Sequence, residues 1–187
     1  MKLLDAISCF IFFIIFQFAA SAQESARHEL KIDITEVALL SLQAENGDDV
    51  NFETVQPEVA GQSIEIQQNE QSGIWINYSS IVKTDQRRKV TASVVGDIPK
   101  GIVLKVKASE NQGSGKGRLG EPLSWVTLKQ GAVDVISNIG SCYTGRGVQN
   151  GHQITYKVEL DDESDQYAYL AEGNTSLQIL YTLTDDN

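Results

Sequence analysis

The chain has 187 residues, with 25 acidic and 15 basic side chains and a formal net charge of −10. A negative charge of this size disfavours binding to nucleic acid or to an anionic membrane surface, so we expect neither partner. The length suits one domain, and a chain of this size can bury enough surface to fold without a metal ion or a disulfide.

The first residues have the layout of a secretory signal peptide. Lys2 supplies a positive charge, residues 7–18 are strongly apolar, and Ala20 and Ala22 are the small residues that a signal peptidase recognises. The apolar stretch is shorter than the roughly 20 residues of a membrane-spanning helix, so a cleaved signal is favoured over an anchor. The sequence therefore predicts a signal peptide over residues 1–22, no membrane span in the mature chain, and export to the periplasm, the cell surface or the extracellular space.

Apolar and polar residues alternate in short segments after the signal, which is typical of half-buried β-strands. These segments begin at Leu30, Ile64, Ile74, Val90, Ile102, Trp125, Val133, Ile154 and Leu177. Val37–Gln43 fits a short helix or a continued strand, and the lack of an N-cap favours the strand. Short strands without long helices predict an all-β, immunoglobulin-like sandwich of two sheets, with a barrel as the less favoured alternative. We expect a single domain over residues 23–187, with residues 23–72 as its less regular part.

The segment Ser109–Gly120 is rich in glycine and contains Gly115, Gly117 and Gly120 at the spacing of a dinucleotide-binding fingerprint. In that fingerprint the glycines open a helix whose N-terminus holds the pyrophosphate. Here Glu121 and a proline lead into another strand instead. We therefore expect a mobile hairpin loop and no cofactor.

Cys142 and His152 are the candidates for a catalytic pair, because a hairpin turning at Asn150-Gly151 would bring them together. Such a pair needs a thiol of lowered pKa and an oxyanion site, and the sequence indicates neither. We expect no enzyme, with Cys142 mostly buried and His152 at a surface turn. Cys142 is also the single cysteine after residue 22, which excludes an intrachain disulfide in the mature protein.

Four acidic residues, Asp161, Asp162, Glu163 and Asp165, follow one of the predicted strands. Their oxygen atoms are ligands that calcium accepts, but the spacing and the central glycine of an EF-hand loop are missing. A solvated acidic turn is favoured, with weak calcium binding as the alternative.

The aromatic residues Trp75, Trp125, Tyr167 and Tyr169 could form a platform for a sugar. Aromatic side chains on strands are more often packed into the core, so structural packing is the favoured interpretation. Glycan contact through Trp75 and Trp125 is the alternative, and it would make the protein an extracellular glycan-binding module.

Three segments of the C-terminal part carry a family resemblance. Residues 140–152 have the sequence GSCYTGRGVQNGH, residues 154–158 have ITYKV, and residues 177–184 have LQILYTLT. Over residues 70–187 the chain resembles exported β-sandwich proteins of Bacteroidota-type bacteria, similar to fimbrial and spore-coat-U-like subunits. The resemblance implies an immunoglobulin-like sandwich, a role in surface filaments or coats, and no catalysis. The chain departs from the many fimbrial subunits that carry an intrachain disulfide.

The sequence thus favours a non-enzymatic exported structural or adhesive protein of the cell envelope or surface, such as a filament or coat subunit. A glycan-binding module is the alternative and an enzyme is the third candidate. Two predicted strands, residues 28–34 and residues 175–184, can each pair with a sheet edge. Either both pair within their own domain, or residues 24–34 exchange between subunits and complete the sheet of a neighbour.

Overall fold

The structure, a computed structural model, is nearly all β, with 51% of the chain in strands and 3% in helix. It describes residues 26–45, 47, 49–162 and 165–186. The strands are β1 (Val37–Ala44), β2 (Glu53–Val55), β3 (Glu65–Gln67), β4 (Glu70–Ile81), β5 (Arg88–Val95), β6 (Ile102–Ala108), β7 (Lys116–Pro122), β8 (Val126–Thr127), β9 (Val133–Tyr143), β10 (His152–Leu160) and β11 (Gln178–Asp185). One turn of 3-10 helix, Gln166–Tyr169, precedes β11. The predicted all-β sandwich is confirmed, and none of the described helical residues forms a segment long and apolar enough to span a membrane.

Nine strands form one antiparallel sheet in the order β11-β5-β9-β4-β10-β6-β8, with β1 added on β4 and β7 added on β9, while β2 and β3 form a separate pair. Strands β4 and β9 connect the two layers of the sandwich. One edge of β4 pairs with β1 along its length, whereas the other pairs first with β10 and then, at Ser79 and Ser80, with β9. One edge of β9 likewise pairs with β7, and the other with β5 and β4.

The core consists of the inward-facing residues of these strands, as period-two alternation predicts. Its fully buried aliphatic members are Ile76, Val90, Ala92, Val106, Val135, Ile136, Ile139 and Ile154. Burial of each large aliphatic side chain stabilises the fold by about 1.5–3 kcal/mol.

Val37–Ala44 is a strand, so the strand interpretation of this segment is confirmed.

The described residues 26–34 belong to one compact unit, and the described residues from Thr35 onwards belong to another. In the first unit, residues 26–34 have no regular secondary structure, so the strand predicted at residues 28–34 is not formed there. The apolar side chains of this segment are exposed to 76% at Leu30, 74% at Ile32 and 76% at Ile34. The predicted signal peptide, residues 1–22, lies outside the described residues.

The glycine-rich segment is more ordered than expected, because Lys116–Pro122 forms strand β7 and pairs with β9. Gly117 and Gly120 have positive φ angles of 97° and 86°. A Cβ atom at Gly117 would lie 2.8 Å from the Cα atom of Cys142, so the glycine permits the two strands to approach closely. The prediction of a mobile loop over the whole of Ser109–Gly120 is therefore wrong.

The hairpin predicted at Asn150-Gly151 is also wrong, because β9 and β10 pair with other strands and not with each other. Residues 144–151 instead connect the end of β9 to the start of β10 along one edge of β4, where the N–H of Thr144 donates to the carbonyl oxygen of Tyr78. The side chain of Asn77 holds this connection: its Nδ2 donates to the carbonyl oxygen of Asn150 at 2.7 Å, and its Oδ1 accepts from the N–H of Gly147 at 2.8 Å.

Candidate functional site

Cys142 and His152, the candidate catalytic pair, are both buried, with 7% and 0% of their surface exposed. The imidazole of His152 contacts Tyr78, and its Nε2 lies 2.8 Å from the Tyr78 hydroxyl. The two rings are stacked with their centroids 5.6 Å apart. His152 is therefore a core residue, and its predicted position at a surface turn is wrong.

Hydrogen-bond geometry fixes the tautomer of His152. Its Nδ1 lies 2.8 Å from the carbonyl oxygen of Ser109, and since a carbonyl only accepts, Nδ1 carries the proton. The Tyr78 hydroxyl donates to the carbonyl oxygen of Leu119, and Nε2 lies beside both groups, 2.8 Å from the hydroxyl and 3.3 Å from the carbonyl oxygen. The histidine thus connects β10 to β4, β7 and the end of β6, which is a structural task.

Burial moves both pKa values away from those of an activated pair. It raises the pKa of the Cys142 thiol to about 11 and lowers the pKa of His152. At neutral pH the thiol is protonated and the imidazole is neutral, so Cys142 is not a thiolate nucleophile. The prediction that Cys142 is buried is confirmed.

The acidic turn after β10 contains Asp161, Asp162 and Asp165, whereas Glu163 lies outside the described residues. Asp165 has a φ angle of 74° and immediately precedes the 3-10 turn. In the described part of the chain, no three His, Cys, Asp or Glu side chains are grouped closely enough to hold a metal ion.

The two tryptophans differ in their exposure. Trp75 is 2% exposed, and its indole N–H donates to Oε1 of Glu45 at 2.7 Å, so it offers no face to a sugar. Trp125 is half-buried just before β8. Tyr167 and Tyr169 are exposed on the 3-10 turn. Of the two predicted glycan contacts, only Trp125 lies where a ligand could reach it.

Among the described residues of the large sheet, four strands pair with one other strand only, and β1 and β11, with 8 residues each, are the longest of them. Among the described residues, β1 pairs only with β4, and β11 pairs only with β5. Each carries exposed leucine: Leu39 on β1 is 65% exposed and Leu180 on β11 is 55% exposed. An edge strand with unpaired backbone groups and apolar side chains is a template for another strand.

The buried side chain of Arg88 brings these two edge strands together at one end of the sandwich. Its Nε donates to Oδ1 of Asp185, the last residue of β11, at 3.2 Å. Its guanidinium also donates to the carbonyl oxygen of Val37, the first residue of β1, and to the carboxylate of Glu36. Sequence reasoning missed Arg88, although it is in phase with the core residue Val90 and the alternation could have identified it.

Comparison of the chain with protein-family models, with curated proteins and with solved structures found no match. The resemblance to fimbrial and spore-coat-U-like subunits accordingly stays a prediction from the sequence. The features that bear on function are the buried His152 with Tyr78, the half-buried Trp125, the free edges of β1 and β11, and the exposed apolar residues of segment 26–34.

Proposed function

We propose that this is an exported, non-enzymatic structural or adhesive protein of the cell envelope or surface, and that its subunits associate by strand pairing. Export is supported by the signal-peptide pattern of residues 1–22. The observation that carries the proposal is the exposure of Leu30, Ile32 and Ile34, three aliphatic side chains at strand spacing in a segment outside any strand.

The spacing of these three residues matters because side chains at positions i, i+2 and i+4 of an extended chain lie on one face. Lys31 and Asp33 would lie on the opposite face. Burial of the apolar face contributes about 25 cal/mol for each Å² removed from water. The segment therefore gains free energy when it is added to a sheet with its apolar face inward.

The free edges of β1 and β11 are the acceptors we propose for this segment. Added strands gain main-chain hydrogen bonds from the edge and specificity from alternate side chains. Residues 24–34 of one subunit would pair with an edge of the next, so donor and acceptor surfaces differ. Repetition of such a heterologous contact builds a filament unless the rotation closes a ring.

The test measures the assembly of residues 23–187 by sedimentation velocity and negative-stain electron microscopy. It compares the wild type with one triple variant and one double variant, which serves as the matched control. Leu30→Ser, Ile32→Ser and Ile34→Ser together remove the apolar face, and Lys31→Ala with Asp33→Ala changes the opposite face. We expect the wild type and the double variant to form concentration-dependent oligomers, and the triple variant to stay monomeric with an unchanged circular dichroism spectrum. A wild type that is monomeric at millimolar concentration would contradict the proposal, as would a triple variant that assembles normally.

A further inference from the structure

Trp125 shares the outer face of the β6–β10 layer with two lysines. Lys107 alternates with the fully buried Val106 on β6, and Lys157 follows the buried Tyr156 on β10, so both lysines point outward. The Nζ atom of Lys107 lies 5.1 Å from the centroid of the indole ring, and that of Lys157 lies 5.8 Å from it. We call Trp125, Lys107 and Lys157 the Trp125 patch.

The two lysines of the patch differ in their ion pairs. Lys157 contacts the carboxylate of Glu159 at 2.7 Å and that of Glu70 at 3.5 Å, so its charge is already balanced. Lys107 is exposed, and among the described residues no carboxylate lies within ion-pair distance of its ammonium group. In a chain of net charge −10, the patch therefore presents a localised, uncompensated positive charge over the half-buried ring of Trp125.

We infer that the Trp125 patch binds a glycan that bears a single acidic sugar, a uronic acid. The apolar C–H face of a sugar ring packs on the indole of Trp125, and the carboxylate of the uronic acid pairs with the ammonium group of Lys107. The ammonium group of Lys107 lies over the indole ring, and its flexible stem lets it move off the ring toward the carboxylate when the sugar packs there.

Charge decides between the possible ligands. A neutral sugar would use the ring of Trp125 but not the charge of Lys107. A polyanion would meet Glu70 and Glu159 next to the patch and the negative charge of the whole chain. One carboxylate matches the one uncompensated ammonium group. Glycan binding at this patch does not require self-association of the subunits.

The experiment uses two probes that differ only in charge: xylotriose bearing one 4-O-methylglucuronic acid, and the same glycan with that carboxylate reduced to an alcohol. Affinity is measured by calorimetry, and the two indole N–H signals are followed by NMR. We expect the acidic glycan to bind about fivefold more tightly than its reduced form, which is the upper effect of an exposed ion pair. The indole signal of Trp125 should shift, and that of the buried Trp75 should not.

Variants assign the effect to the patch. Lys107→Gln, a change of an exposed side chain, should lower the affinity for the acidic glycan about fivefold and leave the reduced glycan unaffected. Trp125→Ala should abolish binding of both, and Lys116→Gln, which changes an exposed lysine on β7, should alter neither. Equal affinity for the two glycans, unchanged binding by Lys107→Gln, or no detectable binding of the acidic glycan would each overturn the inference.

Discussion

Residues 26–34 and strand β11 share one pattern of apolar and polar residues but have different environments. Leu30, Ile32 and Ile34 are exposed, whereas Tyr181, at the centre of β11, is buried and its hydroxyl donates to that of Tyr156 at 2.9 Å. β11 pairs with β5 along its whole length, from Gln178 to Asp185. The alternation of apolar and polar residues predicts which face of a strand can be buried. Whether that face is buried depends on the pairing of the backbone with a neighbouring strand.

Substitutions in the two regions should differ most in their effect on stability. Tyr181→Ala removes a large buried side chain and should lower the free energy of unfolding by about 3–5 kcal/mol. Ile32→Ala removes a side chain that is already hydrated and should change the stability of the monomer by less than about 0.5 kcal/mol. Urea denaturation of dilute protein measures both values. A loss above about 2 kcal/mol for Ile32→Ala would mean that the segment is buried in the monomer.

We expect the next largest loss of stability from substitution of Arg88, because its side chain joins the start of β1 to the end of β11. Arg88→Met leaves the carbonyl oxygen of Val37 without this donor and should cost about 2 kcal/mol in unfolding free energy. Arg87→Met, at the half-buried neighbouring position, is the matched control and should change stability by less than about 0.5 kcal/mol. Equal effects of the two substitutions would show that the contacts of Arg88 contribute nothing specific.

The buried His152 and the exposed His28 should differ in their effect on the pH dependence of stability. Burial lowers the pKa of His152 in the folded state, so the unfolded chain binds the proton more tightly. Stability should be complete above the ordinary histidine pKa of about 6.5 and should decrease as the pH falls below it. His152→Gln should remove this decrease in thermal unfolding measured between neutral and mildly acidic pH, whereas His28→Gln, in the exposed segment, should not. An identical pH profile for His152→Gln and the wild type would disprove the assignment.

The smallest effect concerns the thiol of Cys142. Because it is buried and its pKa is about 11, a thiol reagent should modify the folded protein slowly and the urea-unfolded protein at the rate of a free cysteine. Spectrophotometric titration with a disulfide reagent measures both rates. Equal rates would show that the thiol is accessible in the folded state.

Much of the fold could be predicted from period-two alternation, since the core strands lie where it placed them. The same alternation indicates that His152 is buried, because it is in phase with Ile154 and Tyr156. Its position beside an Asn-Gly turn signal instead suggested a place at the surface. The pairing of strands could not be predicted, because β9 and β10 are neighbours in sequence but pair with β4 and not with each other. The free edge of β1 follows from that pairing and could not be predicted, whereas the alternation of residues 28–34 and 175–184 already indicated strands that can pair at a sheet edge.

Hydrogen exchange at two protein concentrations tests the central claim most directly, because it reports backbone pairing in both regions at once. We expect the amides of β11 to be protected at every concentration. The amides of residues 28–34 should exchange rapidly in dilute protein and become protected as concentration rises. Protection of residues 28–34 in the dilute monomer would contradict the account, because the segment would then pair within its own chain. Rapid exchange at all concentrations would contradict it equally, because the segment would then pair with no subunit.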